Sequence, residues 1–364
     1  MQIHELTLAP RKEVKRIGRG GKRGTTSGRG TKGQGAHGKK KDPLFEGGRS
    51  TLIDRMKKSR GFKSPHAKKV ALTFTQINAR YVDGEVMMTE SEHAAMSACV
   101  GAGAAGGRVA TATSSQGLAL MVETLYQASG MRMPIVLCMI NRALAAPLNV
   151  NGDHSDMYLA NQSGWISIDA CTPEESYDLV LCAFRIAEHK DVRLPVIVNQ
   201  DGFLTSHKAQ NVRPLSDEAA YNFVGNYVEI NSLLNFSKPV THGVQTESDW
   251  HFEHKAKQHA ALMASKKVIL ETFAQFKELT GREYKLVESY NLENADIAIV
   301  CLGTTYETAM LAIDQLKAEG INAAVVAPRV FRPFPLEEVA EALQNVKAIA
   351  CMDRSAPGLS LIHI

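Results

Sequence analysis

The sequence predicts an α/β protein: a doubly wound parallel sheet, then a smaller α/β domain, both behind a basic, glycine-rich extended arm. Three observations carry this. From about residue 86 short apolar runs alternate with helical patterns, the rhythm of strands joined by crossover helices. Those runs are continuous rather than alternating, as expected of parallel strands covered on both faces. Charge also divides the chain: residues 1–69 hold 20 Lys and Arg against 5 Asp and Glu, and the remainder holds 22 against 33. The whole-chain charge of +4 is therefore an average over two parts with different partners. With 364 residues, 44% of them hydrophobic, there is length for two or three domains and a large core outside the arm.

The arm comes first. Residues 18–48, GRGGKRGTTSGRGTKGQGAHGKKKDPLFEGG, mix glycine with Lys, Arg, Ser and Thr and contain almost nothing that could build a core. Phosphate is the expected partner, because each base that meets a backbone phosphate releases counterions and glycine lets the chain follow an irregular RNA surface. Arg16, Arg19, Lys22, Arg23, Arg29, Lys32, Lys39, Lys40 and Lys41 are the candidate RNA contacts. No GxxxxGK[ST] follows a strand here, so a phosphate-binding P-loop is set aside.

In the body, residues 86–234 give ESEHAAMSACVGAGAAGG as a helix, RVATATSS as a strand, QGLALMVETLYQASGM as a helix and PIVLCMIN as a buried strand. ISIDAC, TPEESYDLVLCAFRIAEHK and LPVIVNQDG then repeat the strand, helix, strand cycle. Residues 235–282 form a loop and a long connecting helix with no evident chemistry. Residues 283–358 form a separate small domain: DIAIVCLG, TTYETAMLAIDQLKAEG with its stop at Gly320, INAAVVAPRVFRPFP, LEEVAEALQNV and KAIACMDR. No stretch approaches the roughly 18 apolar residues needed to span a bilayer, and the N-terminus has no apolar run after its charges, so the chain is expected in the cytoplasm. The six cysteines show no CxxC and read as reduced core thiols.

Ligands of such sheets bind at the carboxyl ends of the strands, which selects the loops after Ser114, Asn141 and Asn199. Within SSQG, Ser114, Ser115 and Gln116 offer contacts to a ligand, or else ordinary helix capping. Glu92 lies three residues after Thr89, a spacing that fits a capping box before an apolar helix. Arg142 follows a strand, either as a surface residue or as a planar fork for a carboxylate. Asp153, His154 and Asp156 look superficially like a metal cluster, but the spacing fits no standard metal motif and reads better as a turn with local hydrogen bonds. FRPFP, residues 331–335, reads as a rigid structural turn.

ESEHAAMSACVGA with TATSSQGLALM, NRALAAPLNVNGDHSD, VNQDGF and RVFRPFP resemble the alpha subunit of pyruvate:ferredoxin oxidoreductase, within the 2-oxoacid:ferredoxin oxidoreductase family, over about residues 86–358. The resemblance implies that residues 86–234 are the pyrimidine-binding domain for thiamine diphosphate and residues 283–358 a transketolase C-terminal-like domain. A beta subunit would supply the diphosphate and magnesium site, since no GDG with a downstream Asn is present; iron–sulfur clusters on partner chains would carry electrons to ferredoxin. Pyruvate and coenzyme A would be the substrates. Glu92 then matches the glutamate that hydrogen-bonds the aminopyrimidine ring and lets the cofactor's exocyclic nitrogen remove the thiazolium proton. Arg142 matches the arginine near the substrate carboxylate, Asp153 and His154 lie where they could orient substrate, and Ser114, Ser115 and Gln116 lie beside the cofactor.

The arm resembles a different family. MQIHEL, RIGRGGKRGTTSGRGTKGQGA and FEGGRSTLIDRMKKSRGF are similar to the N-terminal extension of the bacterial large-subunit ribosomal protein fifteen family, over about residues 1–85. This implies contact with ribosomal RNA, and as an alternative reading of the whole chain a ribosomal protein. The two resemblances together imply a chimera, joined near the word VDGEV at residues 82–86. The pyrimidine-binding domain is expected to be truncated at its N-terminus, where the family places a strand and a YPITP-type loop. Residues 359–364, LSLIHI, read as a non-native tail. If the arm binds RNA as its charge implies, affinity measured by filter binding falls steeply with salt and disappears on deletion of residues 1–69; a salt-independent affinity that survives the deletion would refute it.

Overall fold

The computed structural model describes residues 29–38, 84–145 and 147–355. The chain divides into two compact units, Met1–Glu85 and Val86–Ile364. In the first, Arg29 and Lys32 are exposed beside a short helix, Gln34–His37, whose His37 ring bonds the Thr31 carbonyl at 3.0 Å. Arg16, Arg19, Lys22, Arg23, Lys39, Lys40 and Lys41 lie outside the described residues, as does the 359–364 tail.

The second unit opens with α1 (Glu92–Ala105), followed by β1 (Val109–Ser114), α2 (Gln116–Gly130), β2 (Ile135–Asn141), α3 (Ser155–Ala160), β3 (Ile166–Ala170), α4 (Pro173–Glu188) and β4 (Val196–Asp201). Strands β1, β2, β4 and β3 lie side by side in that order, all parallel. Both faces are covered, as the continuous apolar runs required. Ile135, Leu137 and Met139 of β2 pack with Met96 of α1 and Leu118, Met121 and Leu125 of α2. Val136, Val196 and Val198 point the other way, onto Leu179, Cys182 and Ile186 of α4. Alternation along a single strand thus feeds two cores. Trp165 is fully buried and donates its indole N–H to the Leu125 carbonyl at 2.8 Å.

Helix α4 starts where its sequence says it should. Pro173 occupies the first helical position, and the Thr172 hydroxyl accepts from the Glu175 amide at 3.2 Å. After α5 (Asp217–Val224) comes α6 (Ser248–Thr280), the predicted connecting helix, whose first ten residues are exposed. From there Ala261, Val268, Ile269, Phe273 and Phe276 recur at helical spacing and pack on the α4 side of the sheet, with Phe276 against Phe223 at 5.1 Å between ring centroids.

A second sheet, β5 (Val287–Tyr290), β6 (Ile297–Val300), β7 (Ala323–Pro328) and β9 (Ala348–Cys351), runs in the order β5-β7-β6-β9, with α7 (Thr305–Ala318) between β6 and β7. Strands β6, β7 and β9 are parallel, and β5 is an antiparallel edge. The sequence set this segment apart as a separate domain. Instead the chain leaves β7 at Pro328, turns at Arg329 and runs as β8 (Val330–Arg332) antiparallel to β3, so that it finishes the first sheet before entering α8 (Leu336–Leu343). Arg329 is buried at this crossing. Its guanidinium grips Glu175 at 2.9 and 3.0 Å and Glu288 at 3.2 Å, and bonds the Asp169 carbonyl at 3.1 Å. One charge thereby joins α4, β3 and β5. Phe331, read as part of a structural turn, is 1% exposed and packs edge-on against Tyr158 at 5.7 Å.

Because Phe276 has no exposed surface and is ringed by Phe223, Phe273 and Tyr284, Phe276→Ala should destabilise the body by about 3–5 kcal/mol in urea unfolding with an unchanged m value; a change below about 1 kcal/mol would show that α6 is not part of this core.

Candidate active site

Strands β1, β2 and β4 end together, and a cavity of about 650 Å³ opens over their carboxyl ends. Ser114, Arg142, Gln200, Thr205, His207 and Lys208 line it, and none of its described lining residues is acidic. The strand ends and loops selected from sequence, at Ser114, Asn141 and Asn199, contribute to it, together with Pro173 and Ser176 at the start of α4.

Ser115 links β1 to α2 with φ 49° and ψ −117°, a left-handed conformation unusual for any residue but glycine. Its side chain makes no capping bond to α2. The hydroxyl donates to the Ala143 carbonyl at 2.6 Å and lies 2.7 Å from the Gln116 side-chain oxygen. The capping alternative for this turn therefore does not hold. Ser114 accepts a bond from Arg142 Nη2 at 2.7 Å, while Arg142 Nε is buried without a hydrogen-bond partner. A surface arginine would have its donors in water; this one reaches across the strand ends with one donor unpaired. Gly202 makes room for it, since a Cβ there would fall 2.7 Å from Arg142 Cγ and from the Asn141 carbonyl oxygen.

Glu92 is the first residue of α1, and Ser91, not Thr89, is the cap: its hydroxyl accepts from the Ala94 amide at 3.2 Å. The capping box is thus corrected, because a glutamate at the first helical position is two residues short of the place from which it could reach back. Glu92 is exposed and lies against Gly117, where a Cβ would sit 2.8 Å from Glu92 Cγ and 2.4 Å from Thr113 Oγ1. Glycine at that position is what lets the carboxylate side chain lie over the start of α2.

The NGDHSD loop, expected from the resemblance to help orient substrate, contributes no residue to the lining of this cavity. Asp153 accepts from the Ser155 amide at 2.7 Å, a local turn. His154 is 3% exposed, with its Nε2 bonded to Asp201 at 2.7 Å. Asp156 is wholly buried and accepts bonds from the Ser115 and Arg142 amides. Burial pushes its carboxyl up to about 6 against those bonds. Among the described residues no group of three His, Cys, Asp or Glu could hold a metal ion.

Asp201, at the end of β4, is the residue the sequence did not single out. Besides His154 it accepts from the Thr304 amide at 2.8 Å, from the Thr304 hydroxyl, and from Arg354 at 3.2 Å. Burial works to raise its pKa, yet these donors hold the carboxyl well below the usual range. Burial likewise disfavours charge on His154, but the hydrogen bond to Asp201 and the Asp353 carboxylate 3.9 Å from Nδ1 outweigh it and raise the imidazole to about 10. Asp169, buried nearby, is pushed up to about 7 by burial, with His154 acting to lower it and Asp201 to raise it. The signal that was available is the acidic residue closing an apolar strand in VIVNQDG; its partners are far away in sequence.

Residues 63–274 match the family model described as pyruvate flavodoxin/ferredoxin oxidoreductase, thiamine diP-bdg, and residues 295–362 match pyruvate:ferredoxin oxidoreductase core domain II. The pyruvate synthase subunit PorA of Thermotoga maritima is 45% identical over 282 residues, which is 76% of this chain and 72% of that protein. The corresponding subunit of Methanocaldococcus jannaschii is 43% identical over 276 residues, 75% of this chain and 71% of the relative. The ketoisovalerate oxidoreductase subunit VorA of Pyrococcus horikoshii is 38% identical over 274 residues, 75% of this chain and 69% of the relative. The fold is also that of 2-oxoglutarate:ferredoxin oxidoreductase from Magnetococcus marinus, with TM-score 0.56 and 22% identity over 76% of this chain; the match spans about half of that longer chain. The body of the chain belongs to the 2-oxoacid:ferredoxin oxidoreductase family, as an alpha subunit of the pyruvate:ferredoxin oxidoreductase type. Residues 19–54 match a different family model, the N-terminal region of ribosomal protein uL15, as the resemblance of the arm implied.

The buried groups set a pH dependence. A histidine raised from 6.5 to about 10 keeps in the fold a proton that the unfolded chain has lost. Its contribution is complete below pH 6.5 and is lost as pH rises through about 10. Asp156 and Asp169, raised from 3.8 to about 6 and about 7, likewise lower stability as pH climbs between those values. Scanning calorimetry should therefore show the melting temperature falling between pH 6.5 and 10, with His154→Gln flattening that slope; an equally steep slope in the variant would show that His154 is not held protonated.

Proposed function

We propose that the body of this chain acts as the alpha subunit of a pyruvate:ferredoxin oxidoreductase: oxidative decarboxylation of pyruvate with coenzyme A to acetyl-coenzyme A and carbon dioxide, with electrons passing to ferredoxin. The observation that carries this reading is one turn. Arg142 lines the cavity and is bonded to the turn's first residue, Ser114, while Glu92 lies against its last, Gly117. A cation for a carboxylate and a carboxylate for a ring nitrogen thus meet the two ends of one turn, which suits a 2-oxo acid beside a pyrimidine.

The residues present fit thiamine diphosphate. Glu92 would hold its pyrimidine ring, with Ser114, Ser115 and Gln116 along the approach; glycine at 117 leaves the room that the Glu92 side chain itself takes. When bound, the cofactor supplies the thiazolium carbon that adds to the 2-oxo group. The chain's own part is to bind and orient: Arg142, on the cavity wall, would bring its guanidinium to the substrate carboxylate, and Glu92 would hydrogen-bond the protonated ring nitrogen of the pyrimidine. The diphosphate and magnesium are assigned to a beta subunit, and iron–sulfur clusters to partner chains. Lys208, paired with Glu307 at 3.7 Å, adds a cation to the cavity lining beside Arg142. Residues 1–69 are assigned ribosomal RNA as their partner; that assignment concerns the arm alone.

The full chain assembled with its beta and iron–sulfur subunits should reduce ferredoxin when given pyruvate, coenzyme A and thiamine diphosphate. Glu92→Gln should lower kcat by roughly 10²–10⁴-fold. Arg142→Gln should raise KM for pyruvate by about 10–100-fold through loss of a charged hydrogen-bond partner. An assembled wild-type enzyme that reduces ferredoxin with no 2-oxo acid would overturn the assignment.

A further inference from the structure

Asp156 lies on the first turn of α3, and its carboxylate is 0% exposed. Four donors converge on it: the Ser115 amide at 3.1 Å, the Arg142 amide at 2.8 Å, Asn141 Nδ2 at 3.0 Å and the Met157 amide at 2.7 Å. All four are N–H groups. Only an acceptor-only side chain satisfies them, because an amide in its place would turn an NH₂ against a donor. Three of the four belong to the ends of β1 and β2, so a carboxylate on a six-residue helix spans the two strand ends from which the proposed site is built.

The constraint reaches the ligand-facing groups by short paths. Ser115 keeps its left-handed backbone with its amide on Asp156, and strain of this kind persists only where surrounding contacts fix it. Arg142 has its amide on the same carboxylate and its guanidinium on Ser114, so its backbone origin and its far end are set by adjoining points of one network. Asp153 is occupied by the Ser155 amide, and His154 by Asp201; neither can take this place.

We propose that Asp156 is a positioning residue of the active site, a buried acceptor that holds the Ser115 turn and the Arg142 backbone in the arrangement that binds substrate. It touches neither substrate nor cofactor. The proposal rests on the reading of Arg142 as the anchor for the 2-oxo acid carboxylate.

The test uses the full chain assembled with its partner subunits and compares wild type with Asp156→Asn, Arg142→Gln and Ser163→Ala. Ser163 is buried on the C-terminal side of α3, bonds the Ala160 carbonyl at 2.5 Å and lies outside the site, so it reports plain destabilisation. Three readouts are taken: pyruvate affinity by titration calorimetry, melting temperature, and hydrogen exchange at the Ser115 and Arg142 amides. Asp156→Asn is expected to weaken pyruvate binding on the order of tenfold, approaching Arg142→Gln, and to speed exchange at both amides by a similar factor. Ser163→Ala is expected to lower the melting temperature with affinity and exchange unchanged. Asp156→Ser, which leaves space for water at the carboxylate position, carries the same expectations if the Asn variant does not fold. Impaired Arg142→Gln beside an Asp156 variant of wild-type affinity and exchange would overturn the positioning role alone. Wild-type affinity in Arg142→Gln would overturn the substrate reading, and the proposal with it.

Discussion

The carboxylate of Asp201 is the constraint on which the body of the molecule turns. It closes β4 in the first sheet, yet its donors come from α3, from the loop entering α7 and from the chain beyond β9. Close approach is required as well as charge. Gly303, at φ 57°, stands where a Cβ would meet an Asp201 oxygen at 2.8 Å, so the loop can pass only as glycine. A buried carboxylate without partners would be driven to protonate, and one with four donors is held ionised. The second sheet is therefore docked by directional bonds to the strand end that borders the cavity, and its position and that of the site are set by the same atoms.

The same device recurs with different partners. Asp178 on α4 is fully buried and accepts from Arg282 at 2.5 and 2.8 Å and from Tyr284 at 2.5 Å, tying the end of α6 to the sheet. Arg329 does the converse, a buried cation between Glu175 and Glu288. Such pairs contribute little net stability over apolar packing, but removing one partner strands the other. They fix which elements meet, while Phe273, Phe276 and the apolar faces of the strands provide the burial that favours folding at all.

The elements were legible in the sequence to the extent that one segment's own pattern decides them. IVLCMIN and VIVNQD read as buried strands because no polar residue interrupts them until the ligand end, and TPEE read as a helix start because Thr172 and Pro173 suit those positions alone. Strand β8 was not legible: VFR continues the apolar run of β7, and only the buried Arg329 between them marks the change of sheet. Helix α5 was missed although Ser216 caps it, since its eight residues carry a single buried side chain, Phe223. At the site, TxxE fitted a capping box by spacing, but Ser91 is nearer to the helix start. Asp201 and Asp156 were beyond sequence reasoning for a different reason. Their partners stand at residues 115, 142, 304 and 354, and only the strand order brings these together.

That separation bears on how the site works. Arg142 and the Ser114–Gly117 turn belong to a dense, buried network, while Glu92 is exposed on the first turn of α1, where an acidic side chain suits the helix dipole. A carboxylate in open water discriminates weakly between tautomers of a ring it touches, because solvent competes for the same hydrogen bond. Its proposed chemistry needs a surface that covers it and excludes that water. The chain thus offers one wall in which the proposed substrate anchor, Arg142, has its amide on buried Asp156, and one open carboxylate, whose proposed role depends on what is laid over it. On the proposed reading, assembly with a partner chain would be part of the chemistry, by turning an exposed acid into a buried one where the cofactor ring is assigned.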